Sequence, residues 1–312
     1  MTFSMVARDA SSGDLAVAVQ SKFLAVGAVV PWARAGVGAV ATQAFANVAY
    51  GPDVLAALER GAPAAETLSS LVAADSLRDE RQVGVVDAMG RAASHTGRNC
   101  FAWAGGRTGD GYAAQGNILA GSAVVDGLAD TFEAGGAPLP ELLVSCLAAA
   151  DAAGGDRRGR QSAALLVVRA GGGYGGGNDR WIDLHVEDHE DPIGELGRVL
   201  ALHRLYFEHP SEADLRPLDE ALAAEVRRRL ISLGVGLGTG GGVVFERMSA
   251  APGDEPRPAV GTARPLPDGW DAAWQQTLVD WMAVENLEER TAAPGWVDPR
   301  VLDYLRDRTA DS

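Results

Sequence analysis

The second residue of the chain, Thr2, opens the short list of side chains able to do chemistry. A threonine hydroxyl is a weak nucleophile until a base takes its proton. Met1 before so small a residue is a substrate for methionine aminopeptidase. The α-amine then freed on Thr2 has an ordinary pKa near ~7.8, so it could serve as that base at neutral pH. The pair would attack a carbonyl. The plainer alternative is a threonine that begins a β-strand.

Lys22 is the only lysine beside 26 arginines. A compact ammonium near Thr2 would hold the α-amine neutral by like-charge repulsion, a task for which guanidinium is poorly suited. The alternative is a surface cation. GGDRRGRQ places Asp156, Arg157, Arg160 and Gln161 on a glycine-flanked loop before an apolar run. Such a loop can aim a carboxylate and a guanidinium into a cleft, and arginine suits a planar anionic group such as a substrate carboxylate. An Asp–Arg pair that locks the loop is the competing reading. Gln43, Asn47, Gln115 and Asn117 carry amides of the kind that stabilise an oxyanion. Asn117 is the foremost of these, because Gly116 lets the backbone come close.

Other groupings point less sharply. His95 and Cys100 are five residues apart, which is not diagnostic of a Cys–His pair. His185, Asp188 and His189 suggest a metal site, but strand rise puts the two histidines roughly 13 Å apart. No metal and no cofactor are expected. GGGYGGGN lacks the GK[ST] ending of a phosphate loop and leads into a strand, so it reads as a hairpin loop. Trp270, Trp274 and Trp281 fall on one helical face, either packed onto the main domain or forming a platform for glycan or peptide.

The elements that must position these residues follow from the apolar patterning. Residues 2–9 and 15–23 read as a hairpin around SSGD, with Thr2 opposite Ser21 or Lys22 according to register. Strands follow at 37–45, 82–88 and 91–96, the last two joined at Met89-Gly90. Pro52 opens a helix ending near Gly61, and a second covers 63–74. Residues 112–121 are strand or turn. Helices at 122–133 and 138–152 precede strands at 162–170 and 181–188. This order fits two stacked sheets with helices outside. Past about residue 195 the chain turns helical, with a charged helix over 211–231, a glycine-rich turn in GVGLGTGGG and two amphipathic helices in the tail.

TFSMVARD, SKFLAVGAVVPWARAGVGAVATQAFAN, YAAQGNILAG and GGDRRGRQSAALLVV together resemble a widespread bacterial domain-of-unknown-function family grouped with the N-terminal-nucleophile (Ntn) hydrolases. The resemblance spans roughly residues 2–205. The tail VDWMAVENLEER…VDPRVLDYLRD is similar to the segment named for peptidoglycan binding that often follows that domain. The resemblance implies an α+β fold, a four-layer αββα sandwich of Ntn-hydrolase type over residues 1–205, and a small, mainly helical C-terminal unit over 206–312. It implies hydrolysis of an amide and names no substrate. Combined with the chemistry above, the expected catalytic group is Thr2, Lys22, Asn117 and Asp156. Gln43, Asn47, Gln115, Arg157, Arg160 and Gln161 are expected around the substrate.

A net charge of −15 argues against nucleic acid as a main partner, since phosphate binding needs a basic face. No run is long and apolar enough for a bilayer. The first residues lack the basic and apolar regions of a signal peptide, so a cytoplasmic location is expected. The expected partner is a small amide, ureido or N-acyl compound, and the chain is expected to form a homo-oligomer. The competing class is a non-catalytic module in which the sandwich is a shell and the C-terminal helices bind cell-wall material or a partner.

Overall fold

Alternation within TFSMVAR sends Phe3, Met5 and Ala7 to one side of the first strand and Thr2, Ser4 and Val6 to the other. Both sides are covered, so nearly the whole strand is buried. The computed structural model describes residues 2–236 and 259–310. In chain order the first unit contains β1 (Thr2–Arg8), β2 (Leu15–Ser21), β3 (Pro31–Arg34), β4 (Gly38–Ala44), α1 (Tyr50–Glu59), α2 (Ala64–Ala74), β5 (Arg81–Asp87), β6 (Ala92–Thr96), β7 (Gly105–Gly109), β8 (Tyr112–Asn117), α3 (Ala123–Ala134), α4 (Leu139–Ala152), β9 (Ser162–Val168) and β10 (Arg180–Val186). There follow α5 (Pro192–Phe207), β11 (Arg216–Pro217), α6 (Glu220–Ser232), α7 (Ala272–Val284), β12 (Trp296–Val297) and α8 (Pro299–Arg308). The fold is α+β with antiparallel sheets. The chain divides into two compact units, Met1–Leu200 and Ala201–Ser312, with the division inside α5.

Two sheets build the first unit. One has the order β10-β9-β2-β1-β8-β7 and the other β3-β4-β5-β6. Three apolar clusters lie in series through it. Phe3, Met5, Leu165 and Val167 of the larger sheet pack against Leu128, Leu143 and Leu147 of α3 and α4. Val6, Val17, Val19 and Leu166 meet Ala39, Ala41 and Val86 between the sheets. Val40, Val83 and Val85 of the smaller sheet pack against Val54, Leu55 and Leu68 of α1 and α2. Each of the larger side chains contributes about 1.5–3 kcal/mol when fully buried. Because helices cover the outer face of both sheets, the strands read as apolar runs rather than as a polar–apolar alternation.

The structure refines several boundaries. α1 starts at Tyr50, so Pro52 sits inside the first turn, where its missing N–H goes unused. β7 has the sequence GGRTG and no apolar signal; it exists as an edge strand paired to β8. The charged helix expected over 211–231 begins only at Glu220, where Asp219 accepts the Leu222 N–H at 2.8 Å as its N-cap. Residues 212–214 form a separate single turn closed by a reciprocal Ser211–Asp214 capping box. Most of GVGLGTGGG lies outside the described residues.

The second unit gathers α6, α7 and α8 around Leu222, Val226, Leu230, Leu278, Leu302 and Leu305. Trp270, Trp274 and Trp281 are buried in this same cluster. They therefore pack within their own unit and form no open platform, and Trp270 precedes α7 rather than sharing its face. Arg290 and Asp298 form a buried ion pair at 2.6 Å, and Arg290 also donates to the carbonyls of Arg204 and Leu205. Among the described residues no helix is long and apolar enough to cross a membrane.

Candidate functional site

The layer between the two sheets is apolar along most of its length and polar at the end where β1 begins. The strand ladders explain the placement. Phe3 pairs with Gln20, which puts Ser21 of β2 opposite Thr2. Thr2 pairs with Asn117 of β8 on its other side, and Ser21 pairs with Ser162 of β9. Asn117, Thr2, Ser21 and Ser162 thus form one polar row across four adjacent strands. Cross-strand partners share a face, and the Thr2 and Ser21 hydroxyls lie 3.1 Å apart. Thr2 is only 6% exposed.

Buried amides from both sheets close over this row. Ser4, two residues along β1 from Thr2, donates to Gln43 Oε1 at 2.7 Å and accepts from Gln115 Nε2 at 2.7 Å. Gln43 Nε2 donates to Gln82 Oε1 at 2.8 Å, with a longer contact of 3.4 Å to the Thr2 carbonyl. Asn117 Nδ2 donates to the same Gln82 oxygen at 2.9 Å. Gln82 in turn donates to the Gly116 carbonyl at 2.8 Å and to Thr96 Oγ1 at 2.9 Å. Gly84 lies beside it on β5, because a Cβ there would stand 2.0 Å from Gln115 Oε1. Gln43, Gln115 and Asn117 are the expected amides, and Ser21 is one of the two residues expected opposite Thr2; Ser4 and Gln82 are not anticipated. Ser4 was available from strand alternation alone. Gln82 was not, since no spacing in the chain sets residue 82 beside 43 and 117.

Asp156 has a different part. Its carboxylate is fully enclosed, accepts from the Lys22 backbone N–H at 2.9 Å and from the Arg158 N–H at 2.9 Å, and pairs with the Arg158 guanidinium at 3.3 Å. Leu119 and Asp156 form an isolated bridge, so the loop is stitched to the chain just beyond β8. The partner of Asp156 is thus Arg158, neither Arg157 nor Arg160. Lys22 lies one residue past β2 with its side chain exposed, and among the described residues its ammonium has no hydrogen bond or ion pair. Arg157 is exposed and reaches the Ala102 carbonyl at 3.5 Å. Arg160 forms a two-pronged pair with Asp151 at 2.6 and 2.9 Å, and Gln161 donates to Asp188 at 3.1 Å. Asn47 caps the turn before α1 through the Ala49 N–H and makes a 3.5 Å contact to Asp75. None of these last three touches the amide network.

Electrostatically the network is neutral, with no ionisable side chain among Thr2, Ser4, Ser21, Gln43, Gln82, Gln115 and Asn117. The perturbed groups lie outside it. The Arg81 guanidinium holds the Asp75 carboxyl well below its usual range, and burial with Asp75 pushes the Tyr50 phenol up to about 12. Burial raises the Cys100 thiol, whose sulfur meets the Arg81 carbonyl, while His95 meets the Arg78 carbonyl; the two do not form a Cys–His pair. His185 is held between Asp183 at 3.0 Å and Glu187 at 3.3 Å.

Fold and site together define an α+β protein with a buried hydroxyl–amide network at one end of two facing antiparallel sheets. Residues 2–196 match the model described as a family of unknown function (DUF1028), and the chain belongs to that family. Residues 262–305 match the model described as "Putative peptidoglycan binding domain". A crystal structure of protein SPO2555 from Silicibacter pomeroyi, assigned to the same DUF1028 family, is similar with a TM-score of 0.60 and 28% identity, covering 65% of this chain and 89% of that one. No curated protein matches the chain.

Proposed function

We propose that the protein is an Ntn-type amidohydrolase in which Thr2, exposed by removal of Met1, is the nucleophile. The observation that carries this reading is the Thr2 hydroxyl on a central strand, facing the layer between the sheets, 3.1 Å from Ser21 Oγ and paired in register with Asn117. The helix, sheet, sheet and helix order of the three apolar clusters supports a four-layer αββα sandwich of the Ntn type.

In this mechanism the Thr2 α-amine takes the proton of its own hydroxyl as Oγ1 attacks the amide carbonyl. The C–N bond breaks and the amine leaves with that proton. Water, deprotonated by the same α-amine, then cleaves the Thr2 ester, releasing the acid and restoring the hydroxyl. Asn117 supplies an oxyanion donor: its amide nitrogen has two N–H bonds, of which one is used on Gln82. Ser21 orients the Thr2 hydroxyl. Gln82 is a positioning residue that fixes the Asn117 and Gln43 amides. Asp156 holds the end of β2, and with it Ser21, through the Lys22 N–H.

Intact-mass measurement and a screen of small amides against wild type and Thr2→Ala test this. Met1 is removed in both, because alanine also permits trimming. Activity is expected in wild type and a loss of at least ~1000-fold in the variant. Full activity in Thr2→Ala, or in protein that keeps Met1, rejects the mechanism. The match of residues 262–305 to a peptidoglycan-binding model favours a second reading, a non-catalytic shell whose C-terminal unit binds cell-wall material. Binding of purified peptidoglycan with no amide hydrolysis would select it.

A further inference from the structure

Six of the exposed large apolar residues lie at the Thr2 end of the first unit, on loops that leave the strands forming the polar row and its cover. Four of them matter most. Phe23 and Leu24 follow β2 and are 51% and 59% exposed; Phe45 follows β4 at 65%; Phe101 precedes β7 at 75%. The backbone under the three phenylalanines is tied down. The Phe23 carbonyl accepts from Ser162 Oγ, the Phe45 carbonyl from Arg81, and the Phe101 carbonyl from the Ile118 N–H at 2.9 Å. Arg81 also stacks on the Phe45 ring at 5.1 Å.

The turns that build this rim are strained. Ala25, Ala44 and Ile118 follow Leu24, Gln43 and Asn117, and all three have positive φ, at 55°, 66° and 53°. Left-handed backbone is unfavourable for alanine and more so for β-branched isoleucine, and such strain gathers at functional sites. Among the described residues only Asn286, in the other unit, shares the feature without being glycine.

The rim also carries cations. The Lys22 ammonium has no acidic partner among the described residues, and the Arg157 guanidinium makes only a long contact to the carbonyl next to Phe101. In a chain of net charge −15, two exposed cations without acids beside exposed aromatics form a distinct surface. A continuous path links them around the hydroxyl: Thr2 to Ser21, on to Lys22, through Asp156 to Arg157, from its N–H to Ile118, and back along Asn117 to Thr2.

We propose that this rim recognises an amide bearing both an apolar group and a carboxylate, of which N-acyl amino acids are the simplest class. Phe23, Leu24, Phe45 and Phe101 take the apolar group, and Arg157 with Lys22 takes the carboxylate. Exposed apolar side chains rimmed by polar groups mark binding surfaces, and a guanidinium fits a carboxylate in two-pronged geometry. The proposal rests on the hydrolase reading for what happens after binding, but not for binding itself.

The test is calorimetric titration of full-length Thr2→Ala protein with N-benzoylglycine, N-acetylglycine and N-benzoylglycinamide. N-benzoylglycine is expected to bind at least tenfold more tightly than either analogue. Phe101→Ala should erase its advantage over N-acetylglycine, and Arg157→Gln its advantage over the glycinamide; both side chains are exposed, so folding is unaffected. A preference below tenfold, absence of binding by all three, or a preference that survives both substitutions overturns the proposal. Selective binding with no turnover by wild type would reject the hydrolase reading and leave the rim standing. Turnover of other amides without selective binding would do the reverse.

Discussion

Replacing Gln82 by leucine tests whether the amide network ties the two sheets together. Gln82 belongs to the smaller sheet, and its bonds to Asn117 and to the Gly116 carbonyl cross to the larger one. Leucine fills a similar volume, so little cavity is created. Asn117 Nδ2 loses its partner, and Gln43 Nε2 is left with contacts of 3.4 and 3.5 Å. A buried polar group without a partner costs about 1–3 kcal/mol. Two such groups give about 2–6 kcal/mol, less whatever a water admitted to the site recovers. For a unit of this size each kcal/mol moves Tm by about 2–4 °C. Calorimetry on the full chain should therefore show the first unit melting roughly 5–20 °C lower, with hydrogen exchange in β5 and β8 identifying the transition. A shift below ~2 °C would show that the network contributes packing and little else. Gln82→Glu separates polarity from shape. Its oxygens still accept from Asn117 and Gln43, but one now faces the Gly116 carbonyl, so the buried carboxyl resists ionisation. A folded pKa above the unfolded value means a penalty at high pH that fades as pH falls through the folded pKa. This variant should thus approach wild-type stability at pH 5 and fall furthest from it at pH 8.

His185 gives a pH effect of opposite origin. The Asp183 carboxylate raises its pKa above 6.5, so its contribution is complete below that value and is lost as pH rises through the folded pKa. Chemical denaturation from pH 6 to 9 should show a loss of about 1 kcal/mol or less, since the pair is partly solvated, and His185→Gln should remove that slope. In the second unit, Arg290→Met leaves Asp298 buried without its cation, and the unit should lose about 3–5 kcal/mol in thermal unfolding, partly restored in the Arg290→Met/Asp298→Asn double variant. An unchanged melt in the single variant would mean that the pair is solvated in solution.

How far the sequence carried depended on the range of the interaction that decides each feature. The β1–β2 hairpin, the β5–β6 hairpin at Met89-Gly90 and helices α1 to α4 rest on local alternation, turns and amphipathic spacing, and these were legible. The register of the first hairpin was open between Ser21 and Lys22 because a one-residue slip needs a third element to settle it. Pairing with both β8 and β9 places Ser21 opposite Thr2. β7 was illegible because GGRTG has no apolar residue and owes its extended form to the edge of β8. Gln82 was illegible as a site residue because its importance lies in bonds across the gap between sheets. Arg158 rather than Arg157 pairs with Asp156 for a similar reason, since a Gly-flanked loop leaves side-chain direction free until it docks against Lys22 and Leu119.

The neutrality of the network has its own kinetic consequence. Ser4, Ser21, Gln43, Gln82, Gln115 and Asn117 are hydroxyls and amides, and the Asp156 carboxylate beyond them is enclosed and paired with Arg158. Removal of Met1 would add an α-amine to this set of uncharged side chains. If that amine is the base, kcat/KM for a neutral amide should rise with pH through a single ionisation. Its midpoint should lie at or below the ordinary value of ~7.8, because the amine sits at a buried strand end where its charged form is disfavoured. Lys22→Gln should move the midpoint up if the ammonium acts on the amine through the intervening residues, and leave it in place if Lys22 serves only the rim. A descending acidic limb that vanished in Asp156→Asn would instead make the carboxylate the base. Rate loss alone in that variant would not suffice, because Asp156 also holds the end of β2, so the decision rests on the shape of the profile.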